Sequence, residues 1–183
     1  GTLTVGTRVE RRDVDYVDST GLDLGPSETM IGGELSYMHK FGDRLTGFAN
    51  LSRGYKAGGF NLGIVPAGRR EFAEESMWSF EVGANTSLAD DRLHLSGSVF
   101  YNQREDQQVE TSFQIDPNDP ASFVFFTDNA AEGQSVGLEA EVRWLMTETI
   151  ETYANIGLLS AEFETFVTPQ VSISGRDQAH APS

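Results

Sequence analysis

The chain carries 183 residues, with 13 Lys and Arg against 28 Asp and Glu, a formal net charge of −15. Nucleic-acid binding needs clustered cations that release counterions from phosphates, so this balance argues against nucleic acid as a partner; the absence of Cys excludes disulfides, zinc thiolates and thiol catalysis. At 38% hydrophobic residues the chain is too apolar for a disordered acidic tail, yet no apolar run approaches the ~20 residues of a membrane-spanning helix, and its first residues lack a signal-peptide pattern.

Taken in order, the chain reads as about seven strands, expected roughly over 2–17, 28–41, 44–56, 75–88, 92–115, 122–146 and 149–163. The first three show loose alternation, through Leu3, Val5 and Val9, then Leu35, Tyr37 and Phe41, then Leu45, Ala49 and Leu51. From Met77 to Leu88 the pattern becomes strict: Trp78, Phe80, Val82 and Ala84 share one parity, while Ser79, Glu81, Gly83 and Asn85 share the other. The next run puts Leu95, Gly97, Val99 and Tyr101 on one parity, with Phe100 as an exception, and then turns polar on both faces over Arg104 to Gln108. Polar residues Thr127 to Asn129 precede a second strict alternation of Val136, Leu138, Ala140, Val142 and Trp144 against Gly137, Glu139, Glu141 and Arg143. The last strand is a looser copy, interrupted by Tyr153 and Leu159.

The connections alternate in length. Short polar turns at Phe41 to Arg44, Ala89 to Arg92 and Met146 to Thr149 read as hairpins, whereas long loops rich in Gly, Pro, Asp, Ser and Arg fall at Asp18 to Ser27, Ala57 to Glu74, roughly Asp116 to Ser122 and from Glu164 toward the end. Strands that cross an apolar band and continue into water, with short turns at one end and long loops at the other, are what an antiparallel transmembrane β-barrel requires. Trp144 and Phe41 near the short turns, and Trp78 and Phe80 toward the loops, would form its aromatic girdles. A water-soluble β-sandwich serving binding or adhesion is the alternative, with Trp78 and Trp144 in its core.

Leu45 to Asn61, reading LTGFANLSRGYKAGGFN, together with Phe72-Ala73-Glu74-Glu75, Phe80-Glu81-Val82-Gly83, Gln108-Val109 and Asp128-Asn129-Ala130-Ala131 leading into Gly137-Leu138-Glu139-Ala140-Glu141, resembles TonB-dependent outer-membrane receptors. Ala73 stands where that family commonly has Pro. The resemblance runs from about Leu3 to Pro182 and implies a barrel of about 22 strands around an N-terminal plug, in the outer membrane of a Gram-negative bacterium. Such a receptor imports a ferric siderophore, cobalamin or another scarce nutrient with energy passed through TonB, and it is not an enzyme. About seven strands make this chain a central or C-terminal slice of that barrel, without the plug that contacts TonB, and Arg176 to Ser183 reads as the approach to a further strand.

Glu139 and Glu141 lie roughly 7 Å apart along one strand face, a separation that also serves glycoside hydrolysis, so a small-barrel outer-membrane hydrolase is a further alternative. With no nucleophile motif beside them, they are read instead, with Glu34 and Glu81, as lining a water-filled lumen. Gly54 to Gly59 lacks the Gly-Lys-Ser/Thr of a phosphate loop. His39, His94 and His180 lack metal-ligand spacing, and Asp116 to Asp119 lacks the Gly and distal Glu of an EF-hand loop. No catalytic residue, metal or cofactor is therefore expected. The basic cluster on the long-loop side, Arg53, Lys56, Arg69 and Arg70, is the expected contact for an anionic ferric chelate, because guanidinium groups pair bidentately with carboxylate or catecholate oxygens. The same cluster could instead pair with Glu71, Glu74 and Glu75 in a solvated loop.

Overall fold

The computed structural model describes residues 1–167 and 172–178. It contains strands β1 (Thr2–Asp13), β2 (Tyr16–Val17), β3 (Asp23–Leu24), β4 (Ser27–Lys40), β5 (Leu45–Lys56), β6 (Gly59–Phe60), β7 (Glu71–Phe72), β8 (Glu75–Leu88), β9 (Leu93–Gln114), β10 (Phe123–Leu145) and β11 (Glu151–Phe166), with one 3-10 turn at Ala67–Arg69. Seven of them form a single antiparallel sheet in the order β1-β4-β5-β8-β9-β10-β11, a meander in which each long strand pairs with the next. The remaining four make two small ribbons within the loops, β2 with β3 and β6 with β7.

The first strand stops at Asp13 rather than running on to 17. The Val14 amide donates to the Pro26 carbonyl at 3.1 Å, and Asp18 closes the loop by accepting from the Thr20 and Leu22 amides, so Tyr16–Val17 pairs with Asp23–Leu24 instead. Gly21 supplies the positive φ of +83° that this turn needs.

Register turns the alternation into two surfaces. Val5, Leu35, Leu51, Phe80, Tyr101 and Val136 form one row across six strands, and Leu3, Tyr37, Ala49, Val82, Val99, Leu138 and Leu158 form the next across all seven. These rows lie bare: Val82 is 54% exposed and Leu158 60%. Among the described residues no second sheet covers them, which sets aside the sandwich, whose two faces would bury these side chains against each other. Phe100, the exception to its strand's alternation, lies on the opposite face, where its ring covers Gly137 and a Cβ would overlap it. The missing side chain makes room for the aromatic ring across the strands.

The short turns are laced side to side. The Arg44 carbonyl accepts from the Ser87 amide at 3.1 Å, and the Arg92 carbonyl from the Leu145 amide at 2.8 Å, while the Arg92 side chain donates to the Leu145 and Met146 carbonyls. Ala89, Asp90 and Asp91 all have positive φ, 53°, 56° and 64°, so this turn is backbone-strained at three successive non-glycine residues. At the other end, the 172–178 segment turns back onto β11, with Asp177 bridging Glu162 and the Gln178 amide donating to the Ala161 carbonyl at 2.9 Å. These are isolated contacts outside any strand, and most of the stretch from Arg176 to Ser183 expected to approach a further strand, including His180 and Pro182, lies outside the described residues.

The largest buried side chains sit away from the apolar rows. Leu24, Met30, Val65 and Phe126 belong to the long loops and the strand ends beside them.

Candidate functional site

The motif segments, widely separated in sequence, converge at the long-loop end. Beyond the Arg53 end of the β4–β5 ladder, Gly58 is held by β1 and β4: Arg12 donates to its carbonyl, Glu28 accepts from its amide at 3.1 Å, and Arg12 and Glu28 pair with each other at 3.3 Å. A Cβ at Gly58 would overlap the Phe72 carbonyl and stand 2.9 Å from the Ala73 carbonyl carbon, both main-chain atoms. Phe60 packs against Tyr16 with ring centroids 4.9 Å apart, tying this loop to the one before it.

Strands β9 and β10 lose regular register between Asn129 and Gly133, opposite Gln107 to Arg104, and Asp106 takes a φ of +52°. Such bulges bend a ladder. The hairpin beyond them is fastened to the 57–74 loop by three side-chain amides. Gln108 donates to the Ala57 and Ala73 carbonyls at 2.9 and 3.0 Å, and Asn129 accepts from the Ala73 amide at 2.6 Å while donating to the Ala73 and Asp106 carbonyls. Asn61 donates to the Arg69 and Thr127 carbonyls and accepts from the Thr127 amide, all at 2.8 to 2.9 Å. Glu75 accepts from the Gln108 amide at 2.9 Å and pairs with Arg104 at 3.3 Å.

The structure divides the four basic residues. Arg69 and Arg70 stand together at the end of the 3-10 turn, Arg69 paired with Asp128 and Arg70 donating to the Gly63 carbonyl at 3.2 Å. Arg53 shares the parity of Leu51 and lies in register with Trp78, at the edge of the apolar rows, where its guanidinium donates to the Ile31 carbonyl and pairs with Glu74 at 3.4 Å. Lys56 closes β5, exposed and in register with Glu75, with no ion pair among the described residues. Glu74 thus takes up Arg53, but the partner of Arg69 comes from β10, a residue that sequence spacing could not nominate.

Glu34, Glu81, Glu139 and Glu141 lie on the face opposite the apolar rows, in register with Ser52, Asn50, Ser98 and Ser96. Asn50 donates to Glu81 at 3.3 Å. Glu139 and Glu141 border a hollow of about 460 Å³ with Phe48, Asn85 and Asn155, and neither enters an ion pair among the described residues. In the first long loop, the Thr20 hydroxyl at 2.6 Å holds the Asp18 carboxyl below the usual carboxylate range, assisted by the Thr20 and Leu22 amides. The carboxylates of Asp116 and Asp119 accept from the Asn118 and Ala121 amides within their own turn, each at 2.9 Å.

Asn61, Gln108 and Asn129 stand within the motif segments, but nothing in their spacing discloses a role, because the contacts that join the loop to the hairpin, Asn61 with Thr127, Gln108 with Ala73 and Asn129 with Ala73, span 66, 35 and 56 residues.

Residues 2–178 match the family described as TonB dependent receptor-like, beta-barrel. Among solved structures, the fold is similar to the ferric yersiniabactin uptake receptor FyuA from Yersinia pestis, with a TM-score of 0.63 and 19% identity over 96% of this chain and 26% of that one. It is likewise similar to the ferric-catecholate import receptor Fiu from E. coli K12, with a TM-score of 0.60 and 14% identity over 88% of this chain and 26% of that one. The copper transporter OprC aligns with a TM-score of 0.66 and 15% identity over 87% of this chain and 26% of that one. At these identities the likeness is one of fold. The chain spans about a quarter of the length of these receptors.

Proposed function

The chain belongs to the TonB-dependent receptor β-barrel family, and on that premise we propose that it is a stretch of barrel wall in a receptor importing a ferric siderophore or similarly scarce nutrient. The family is one of transporters rather than enzymes, set in the Gram-negative outer membrane. The observation that carries the reading is the inverted burial: apolar rows lie bare across seven strands, while the buried side chains gather at the loop end. A surface of that kind is stable against lipid and unfavourable against water.

In this reading Glu34, Glu81, Glu139 and Glu141 line the lumen, and the plug domain that receives energy from TonB fills it. Arg69 and Arg70, with Lys56 and Arg53 nearer the wall, are the contacts for an anionic ferric chelate. Arg69 would exchange Asp128 for a ligand oxygen, and its side chain is 43% exposed where that exchange would occur. The similar receptors for ferric chelates support iron, and OprC supports copper as the competing cargo.

The test is uptake by cells expressing the full-length receptor, with radioactive iron supplied as a ferric tris-catecholate and radioactive copper supplied separately. Iron uptake that requires both the receptor and TonB is the expected result. Copper uptake alone would keep the wall and replace the cargo; uptake of neither, or uptake independent of TonB, would overturn the reading. Arg69→Ala with Arg70→Ala should weaken chelate binding, and unchanged affinity at physiological salt would remove the basic contacts.

A further inference from the structure

Asn61 is a buried polar residue, 9% exposed, in a loop whose neighbours are largely open. Its side chain does what a strand residue does. Where β10 runs beyond the end of β11, whose last register pair is Ala131 with Phe166, the outward edge of β10 has no strand paired to it among the described residues. At Thr127 on that edge, the Asn61 carboxamide supplies both a donor, to the Thr127 carbonyl at 2.8 Å, and an acceptor, for the Thr127 amide at 2.8 Å. This is the reciprocal pairing of an antiparallel ladder, made by one side chain.

The other groups of Asn61 point back into its own loop. The second hydrogen of Nδ2 goes to the Arg69 carbonyl at 2.9 Å, and the main-chain amide goes to the Arg70 carbonyl at 2.7 Å. One residue therefore holds both carbonyls of the Arg69-Arg70 pair and the backbone of β10. Asp128, the next residue along β10, is the partner of the Arg69 guanidinium. The height of the two arginines over β10 is consequently set by Asn61.

We infer that Asn61 is a positioning residue: by standing in for a strand at Thr127 it fixes the Arg69-Arg70 pair in place for an anionic ligand. The ligand-related part of this inference rests on the function proposed above, whereas the latch itself does not. An Asp at this position keeps the shape but has no hydrogen to give, and sets a carboxylate against the Arg69 and Thr127 carbonyls. An Ala removes the latch without adding charge.

The experiment uses the purified full-length receptor with Asn61→Ala and Asn61→Asp. Trypsin cleaves on the carboxyl side of Arg69 and of Arg70, and Asn61 holds the carbonyl of each of these bonds, so cleavage requires their release. Cleavage there should therefore speed up by about tenfold to a hundredfold in both variants, since cleavage follows the population of the open form. Amide exchange over 123–129 should rise with it, while exchange at the band end of β8 and β9 stays unchanged. Equal cleavage and exchange in the wild type and Asn61→Ala would overturn the latch. For positioning, uptake of iron supplied as ferric tris-catecholate should show a raised KM with unchanged Vmax in Asn61→Ala. Adding Asn61→Ala to Arg69→Ala/Arg70→Ala should cause no further rise; an additive rise would mean that Asn61 does not act through the arginines. If the wild type takes up no chelate, the proposed function fails while the cleavage result still decides the latch.

Discussion

The two ends of β9 and β10 are built from the same pair of strands and are held together by opposite means. Toward the short turns, unbroken register from Asn102–Ser135 to Leu93–Trp144 places every second residue on an apolar surface that touches little protein. Toward the long loops, register breaks between Asn129 and Gly133, and the hairpin beyond is secured to the 57–74 loop by the side-chain amides of Gln108, Asn129 and Asn61, with Phe113 and Phe126 packed edge to face at 5.9 Å. In the first region the specification is periodic and any residue of the right character serves. In the second it is particular, and each contact has one partner. Substitutions should therefore be governed by face in the band and by identity at the rim.

The largest effect is expected where face decides everything. Leu138→Arg sets a cation on the outer surface and should cost about 2–4 kcal/mol, whereas Glu139→Arg, one residue along on the other face, should cost far less. Denaturant unfolding of the full receptor in lipid vesicles compares them, and equal costs would break the distinction between the faces. At the rim, Gly58→Ala should cost about 1–3 kcal/mol, because the new Cβ meets main-chain atoms that cannot swing away. Protease nicking of the 57–74 loop, with unfolding of the band unaltered, is the measurement that sharpens the contrast. In the short turns, Asp90→Gly should stabilise by at most about 1 kcal/mol, relieving a left-handed residue at the expense of unfolded-state entropy.

The smallest effect is a titration. The folded pKa of Asp18 is depressed below its unfolded value, chiefly by the Thr20 hydroxyl, so its contribution is present above the unfolded pKa and lost as pH falls through the folded one. Exchange at the Thr20 and Leu22 amides should therefore rise in acid below the ordinary carboxylate range, and Asp18→Asn should remove that dependence. An unchanged acid profile in Asp18→Asn would show that the turn does not depend on this carboxylate.

Sequence reading worked where structure is periodic. Trp78 to Leu88 and Ser135 to Trp144 announced their faces because a pleated strand sends alternate side chains to opposite sides, and register then assembled those faces into one surface. The motif resemblance located the family. What sequence could not show was how the motif residues meet: Gly58 against Phe72, Asn129 against Ala73 and Asn61 against Thr127 join positions that no local rule relates. The Arg69 partner escaped for the same reason, since Asp128 comes to it from β10 across 59 residues. Alternation alone carries β1 on to 17, but a capped loop outcompetes continued pairing beyond Asp13, a contest between local hydrogen bonds and a ladder.

The bare apolar rows also bear on how such a chain reaches its destination. With a mean hydropathy of −0.33 and apolar residues largely separated by polar ones, the extended polypeptide has no segment that an inner membrane would retain. The lipophilic surface does not exist before pairing. It is created when neighbouring strands align their alternate residues, so the chain can cross one bilayer and the aqueous space beyond it as a polar polymer, and acquires affinity for lipid only in the act of folding.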